Sequence, residues 1–292
     1  MEYELILTRR TRRFRGGREG SGSLGALRAV LCVLCVELFS LAALAATPDT
    51  VRLEELTWTE VRDAVKAGKT TVIVPIGGTE QNGPYMALGK HNIRVRILSE
   101  RIARALGNAL VAPVIAYVPE GAIDPATEHM RWPGTISIPE GAFEQMLEGA
   151  AQSFKHAGFH DIVFIGDHGG TQRLQHIVVE RLDRAWASTP ARAWTIDEYY
   201  RNGEGGFGDE LKKEGYSAAE IGIHAGLADT SLTLALAPEL VRQDKLKADA
   251  GHLDKNGIAG DPTRASAALG QKAVDRVVAD TVAAIRRDTA RH

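Results

Sequence analysis

Thr71-Val-Ile-Val-Pro-Ile76 is a short β-branched run that opens directly into Gly77-Gly-Thr-Glu-Gln-Asn-Gly-Pro-Tyr-Met-Ala-Leu-Gly-Lys-His-Asn92. Ninety residues later the pattern recurs, with Asp161-Ile-Val-Phe-Ile165 opening into Gly166-Asp-His-Gly-Gly-Thr171. A continuous apolar run of five or six residues ending in a glycine-rich polar turn reads as a buried strand of a parallel sheet.

Outward from these two strands the chain alternates. Leu53 to Lys69 reads as an amphipathic helix ending near Gly68, and His91 to Leu106 as a helix ending at Gly107. Ala109 to Tyr117 is a further strand candidate, followed by a long loop to Gly134 and a brief Thr135-Ile-Ser-Ile138 strand. Pro139 to Ala157 is helical, with Pro139 and Glu140 opening its first turn and Gly158 closing it. Thr171 to Trp186 reads as a helix and Ala191 to Ile196 as a strand; Asp197 to Gly215 has no clear period. Thr230 to Leu236 reads as a short buried helix, and Ala265 to Arg287 as a closing amphipathic one. Strands alternating with helices, with no repeat or linker, predict an α/β fold: a single compact domain with a mainly parallel β-sheet flanked by helices.

In such sheets ligands bind beyond the carboxyl ends of the strands. Glu80 lies four residues past Ile76 and His168 three past Ile165, so parallel neighbouring strands would bring both to one rim. His91 would open the next helix and fold back onto that rim. One carboxylate and two imidazoles suit zinc, and also manganese or iron. A purely structural reading, with Glu80 capping a helix and His168 filling a glycine turn, fits the spacing as well. Gly166-Asp-His-Gly-Gly lacks the spacing of a dinucleotide-binding loop; its glycines allow backbone to approach a ligand closely. In His224-Ala-Gly-Leu-Ala-Asp-Thr-Ser231, His224 suits a proton shuttle and Asp229 a ligand or orienting carboxylate, while Asp229-Thr-Ser also suits a helix cap. Glu128-His-Met-Arg-Trp-Pro-Gly-Thr135 is either a structural turn or a substrate contact.

Four ordered segments together resemble the creatininase family of metal-dependent amidohydrolases: Gly78-Thr-Glu-Gln-Asn-Gly-Pro-Tyr85, Glu128-His-Met-Arg-Trp-Pro-Gly-Thr-Ile-Ser137, Gly166-Asp-His-Gly-Gly-Thr171 and His224 to Ser231. The resemblance implies a compact α/β fold, a centre of one or two divalent ions, and a homo-oligomer, usually a hexamer. It puts Glu80 and His168 at the family's ligand positions, and Glu128, His129, Gly169 and Gly170 in its substrate-binding motifs. The family's histidine ligand in the first motif is Asn82 here, its bridging aspartate is His91, and the glutamate of its last motif is Asp229. Creatinine-cleaving members carry Tyr-Glu where this chain has Gly169-Gly170; the loss of that glutamate argues against creatinine as substrate. The activity implied is metal-assisted hydrolysis of a C–N bond in a cyclic amide or formamide-type small molecule. The expected metal set is Glu80, His91 and His168, with Asn82 and Asp229 as further ligands; His224 and Asp229 are the catalytic pair. The exchanges at Asn82 and His91 also motivate an alternative, a catalytically silent small-molecule-binding protein on the same fold.

The chain has 292 residues, with 35 Lys+Arg against 37 Asp+Glu, and this near-balance without a basic block argues against a nucleic-acid partner. Its beginning differs from the rest. Arg9, Arg10, Arg12, Arg13, Arg15, Arg18 and Arg28 precede an apolar run from Ala29 to Phe39 and an Ala43-Leu44-Ala45 exit. This is the pattern of a secretory signal peptide over residues 1–45, with a periplasmic destination and no stable membrane association after its removal. Taking seven arginines and four acids from the totals leaves 28 basic and 33 acidic residues, a net charge near −5. Cys32 and Cys35 would leave with the signal, so any metal must be held by imidazole and oxygen.

Overall fold

The computed structural model describes residues 48–246 and 253–290, without the side chains at 204–205 and 253–254. The expected signal peptide, with Cys32 and Cys35, lies outside the described residues; the chain from Asp49 onward forms one compact unit. Among the described residues its centre is a four-stranded parallel sheet of β1 (Thr71–Ile76), β2 (Ala109–Val111), β3 (Asp161–Gly166) and β4 (Arg192–Thr195), in the order β2-β1-β3-β4. β1 and β3 are in register from Thr71↔Asp161 to Ile76↔Gly166, so their carboxyl ends finish side by side.

Side chains alternate across the sheet, as the strand period of two requires. Val72, Val74, Ile162 and Phe164 enter one apolar layer; Ile73, Val163 and Ile165 enter the other. The first layer is closed by α1 (Trp58–Lys66), α3 (Glu140–His156) and α4 (Gln172–Trp186), through Val61, Phe143, Leu147, Leu174 and Val178. The second is closed by α2 (Lys90–Leu106), α8 (Leu227–Leu236) and α10 (Ala267–Thr289). Short helices α5 (Asp197–Arg201), α6 (Phe207–Lys213), α7 (Ala218–Ile221) and α9 (Leu253–Asn256) fill the connections. Each fully buried Ile or Val contributes about 2 kcal/mol against exposure. Helix α10 packs on α8 at Gly270, where a Cβ would stand 1.9 Å from the Ser231 carbonyl oxygen, so only glycine allows that approach.

Pro75 lies in the central strand, a place proline usually avoids. A residue's N–H and C=O point to the same side of a strand, and the Pro75 carbonyl accepts from Ile115 on the β2 side. The missing N–H therefore faces the stretch beyond Val111, where the β2 ladder has ended.

Several sequence expectations shift. The helix predicted from Leu53 is a 3-10 turn (Leu53–Glu55) followed by α1, because Thr57 starts a new helix with a capping box: its hydroxyl accepts from the Glu60 N–H and its own N–H donates to Glu60 Oε2 at 2.7 Å. The strand predicted over Ala109 to Tyr117 stops at Val111; Pro113 cannot donate to a ladder, and Ile115 returns to β1 only as an isolated bridge. Thr135 to Ile138 makes a single parallel bridge, Ser137 to Val118. The segment without a period, Asp197 to Gly215, is helical, with a π turn over Asn202–Gly206 that disrupts the 3.6-residue spacing. Helix α8 starts at Leu227, three residues before the expected Thr230. Among the described residues no helix is long and apolar enough to cross a membrane.

Candidate metal centre

The adjacent ends of β1 and β3 build the rim. Glu80 stands four residues past Ile76, and Asp167 and His168 directly follow Gly166. The first turn of α2 adds Lys90, His91 and Arg94; the 3-10 turn Glu128–Arg131 adds His129; the segment entering α8 adds His224 and Asp229. Glu120 comes from the loop that follows the β2 segment, pinned where its N–H donates to Ser137 Oγ at 2.9 Å.

Four of these side chains, Glu80, Glu120, His129 and His168, present ligand atoms that all lie within 4.8 Å of one another. His168 Nε2 is 3.2 Å from Glu80 Oε2 and 3.0 Å from Glu120 Oε2, and His129 Nε2 is 3.2 Å from Glu80 Oε2. Gln81 Nε2 lies 3.0 Å from His129 Nδ1 and orients that ring. Glu80 and Glu120 are completely buried, yet neither Glu120 oxygen accepts a well-directed hydrogen bond, and His168 Nδ1 has no partner either. Burial pushes the Glu120 carboxyl up. Burial alone would lower His168, but the Glu120 and Glu80 carboxylates override it and push the imidazole up to about 10. Burial lowers His129 and favours its neutral form; with the Gln81 amide N–H donating to Nδ1, the ring proton lies on Nε2, toward Glu80. An acid–imidazole cluster with unsatisfied buried oxygens fits a divalent ion.

Beside this cluster lies a fully paired ionic group. The Lys90 ammonium donates to Asp229 Oδ2 and sits 3.5 Å from Glu80 Oε1. Arg94 donates to both Asp167 and Asp229, Tyr199 Oη donates to Asp167 Oδ2 at 2.8 Å, and the Ala225 N–H donates to Asp229 Oδ2 at 2.8 Å. Burial would raise Asp167, but Arg94 and His91 hold it down to about 2. Lys90 and Arg94 likewise overcome burial and keep Asp229 well below the usual carboxylate range. Two non-glycine residues here have left-handed backbone, Glu128 (φ 45°) and Ala225 (φ 52°), each directly beside a site histidine. Such strain concentrates where a side chain must be aimed.

Of the expected ligands, Glu80 and His168 fall inside the four-residue cluster. His91, Asn82 and Asp229 fall outside it. Both ring nitrogens of His91 are engaged, Nε2 with Glu80 Oε1 at 2.7 Å and Nδ1 with Asp167 Oδ1. The Asn82 amide N–H groups donate to the Glu80 and Ala87 carbonyls, and Asp229 is committed to Lys90 and Arg94. His129, expected to touch substrate, falls inside the cluster as well as lining a cavity of about 300 Å³. Glu128, Gly169, Gly170, His224 and Asp229 line the same cavity. At Gly170 a Cβ would stand 2.9 Å from His168 Cε1, and at Gly169 2.4 Å from Tyr200 Oη, so both glycines keep the rim clear. Sequence reasoning missed Glu120, Lys90 and Arg94. Lys90 and Arg94 flank His91 on the face that turns to the rim; Glu120 carries no spacing signal and is found only by folding.

The family described as creatininase (creatinine amidohydrolase) matches residues 54–285. Among curated proteins, a 3-dehydro-scyllo-inosose hydrolase of Thermotoga maritima is 26% identical over 218 residues, covering 72% of this chain but only 66% of the relative. A mycofactocin precursor peptide peptidase of Mycobacterium tuberculosis is 26% identical over 247 residues, covering 74% and 85%. The creatinine amidohydrolase of Pseudomonas putida is 26% identical over 203 residues, covering 68% and 76%. Among solved structures, a manganese creatininase superposes with a TM-score of 0.68 at 22% identity, covering 82% of this chain and 99% of that one. A creatininase variant of zinc–zinc type gives 0.67 at 22% identity, covering 82% and 98%. These likenesses establish the fold.

Proposed function

Since the chain belongs to the creatininase family, we propose that it is a metal-dependent hydrolase of a C–N bond in a small-molecule amide, a cyclic amide or formamide rather than creatinine itself. The observation that carries this reading is Glu120, a carboxylate buried without a hydrogen bond among Glu80, His129 and His168. Burying such a group costs several kcal/mol unless a cation answers it, and without a metal that partner is the His168 ring, 3.0 Å from Oε2. Two carboxylates and two imidazoles suit zinc or manganese, with iron also compatible. A divalent ion held there supplies Lewis acidity, which polarises an amide carbonyl and acidifies water.

The chain's own groups do the rest. His224 Nε2–H donates to the Gln81 carbonyl at 2.9 Å, which leaves the lone pair on Nδ1, 3.6 Å from Glu80 Oε1. That nitrogen takes the proton of the attacking water and returns it to the leaving nitrogen. Burial, reinforced by Lys90, holds His224 down to about 3, so the ring is neutral at neutral pH and a weaker base than a free imidazole. Asp229 orients the Lys90 ammonium and the Ala225 amide rather than ligating the ion. A cavity of about 300 Å³ suits a small molecule. The ligands Glu120 and His129 compensate for the exchanges at Asn82 and His91, which is why we favour the enzyme over the silent binding protein.

Dialysis against EDTA should abolish cleavage of lactams and formamides, and Zn(II) or Mn(II) should restore it; His168→Ala should not turn over in either state. Metal-loaded protein that binds these amides but cleaves none would overturn the reading. We also propose export to the periplasm, with residues 1–45 removed. Mass spectrometry of protein recovered from its native host should then find a chain of residues 46–292, and a mature protein still starting at Met1 would refute it.

A further inference from the structure

Among the described residues, every buried carboxylate and every buried Lys or Arg belongs to this one site: Glu80, Glu120, Asp167 and Asp229 on one side, Lys90 and Arg94 on the other. These six side chains alone carry two net negative charges. The charges are also segregated. Arg94 answers Asp167 and Asp229, and Lys90 answers Asp229 and leans on Glu80 Oε1, so the unanswered charge lies toward Glu80 Oε2 and Glu120.

Asp229 and His91, on the Lys90 side, have every ligand atom already engaged. Asp229 gives one oxygen to Arg94 and the other to Lys90 and the Ala225 N–H. His91 has both ring nitrogens engaged; the Asn82 amide nitrogen is turned to backbone carbonyls, which leaves its Oδ1 buried without a partner. What stands beside the four-residue cluster instead is an ammonium, 1% exposed, that lines the cavity. It has three N–H donors and one directed hydrogen bond, to Asp229, so it retains donors for a ligand. We propose that the centre takes a single divalent ion and that Lys90 is the second cation of the site, a fixed charge standing where a second ion would otherwise bind. This rests on the metal-dependent reading above.

The probe is the metal alone. EDTA-treated protein reloaded with Zn(II) should bind one equivalent per chain by native mass spectrometry and elemental analysis. Lys90→Met removes the charge and should bind the first Zn(II) at least tenfold more tightly in calorimetric titration, because a neighbouring cation no longer repels it. Lys90→Arg keeps the charge and should match wild type in both count and affinity. Two tightly bound equivalents in the wild type would overturn the proposal. So would a folded Lys90→Met protein whose zinc count and affinity are unchanged. If Lys90→Met does not fold, the wild-type count and the Lys90→Arg titration still decide. A wild type that binds no zinc would instead bring down the metal-dependent reading, and this inference with it.

Discussion

Glu120 is a costly residue to bury, since neither of its oxygens accepts a directed hydrogen bond. Glu120→Gln keeps the shape and removes the charge, so it should weaken Zn(II) binding at least tenfold and also destabilise the metal-free protein, because His168 Nε2 loses the carboxylate 3.0 Å away. Calorimetric titration and the thermal midpoint in EDTA measure the two effects. Asn82→Ala takes a hydrogen-bond donor from the Glu80 and Ala87 carbonyls, so it should weaken zinc binding by loosening the loop that carries Glu80. Glu80 and His168 were legible in the sequence because each sits a few residues past an obvious strand. Glu120 was not: it follows a stretch in which the strand pattern has already failed at Pro113, and only the Val118–Ser137 bridge carries it back to the rim.

Helix α2 begins against ordinary helix electrostatics. Lys90 and His91 crowd a first turn whose free N–H groups already make it positive, Arg94 follows one turn on, and Gly89 offers no side-chain cap. The compensation comes from other elements, through Glu80 after β1, Asp167 after β3 and Asp229 in α8. Asp167 therefore locks α2 to β3 and, through Tyr199, to α5. Asp167→Asn should destabilise the fold by about 3 kcal/mol, measured by urea unfolding at neutral pH. Its folded-state value of about 2 lies below the ordinary 3.8, so the unfolded chain binds the proton first on acidification. Its stabilisation, on the order of 2 kcal/mol, is fully present above about pH 4 and fades as the pH falls toward 2. The variant should lack that part of the wild-type pH dependence. At this scale the sequence was readable where β-branched runs met glycine turns. It misled where apolar spacing ran on across the Thr57 cap and where the π turn at Asn202–Gly206 broke the period.

Across the whole molecule, the class of fold followed from alternation alone, whereas strand order required the structure. The conditional on which the site depended, that the strands before Glu80 and His168 are parallel neighbours, is met by the β1–β3 pairing. That pairing joins Thr71 to Asp161, ninety residues apart, and the candidate ligand cluster draws on positions 80, 120, 129 and 168. Contacts of such separation pay their loop-closure entropy before they return any attraction, so they form late and slow the search. An ion that needs all four ligands at once meets them only in a nearly native chain. It should therefore slow the escape from the native state while leaving the rate of reaching it almost untouched. In stopped-flow chevrons, Zn(II) would lower the unfolding arm and leave the refolding arm in place: the metal would act as a latch on a finished fold, not as its nucleus.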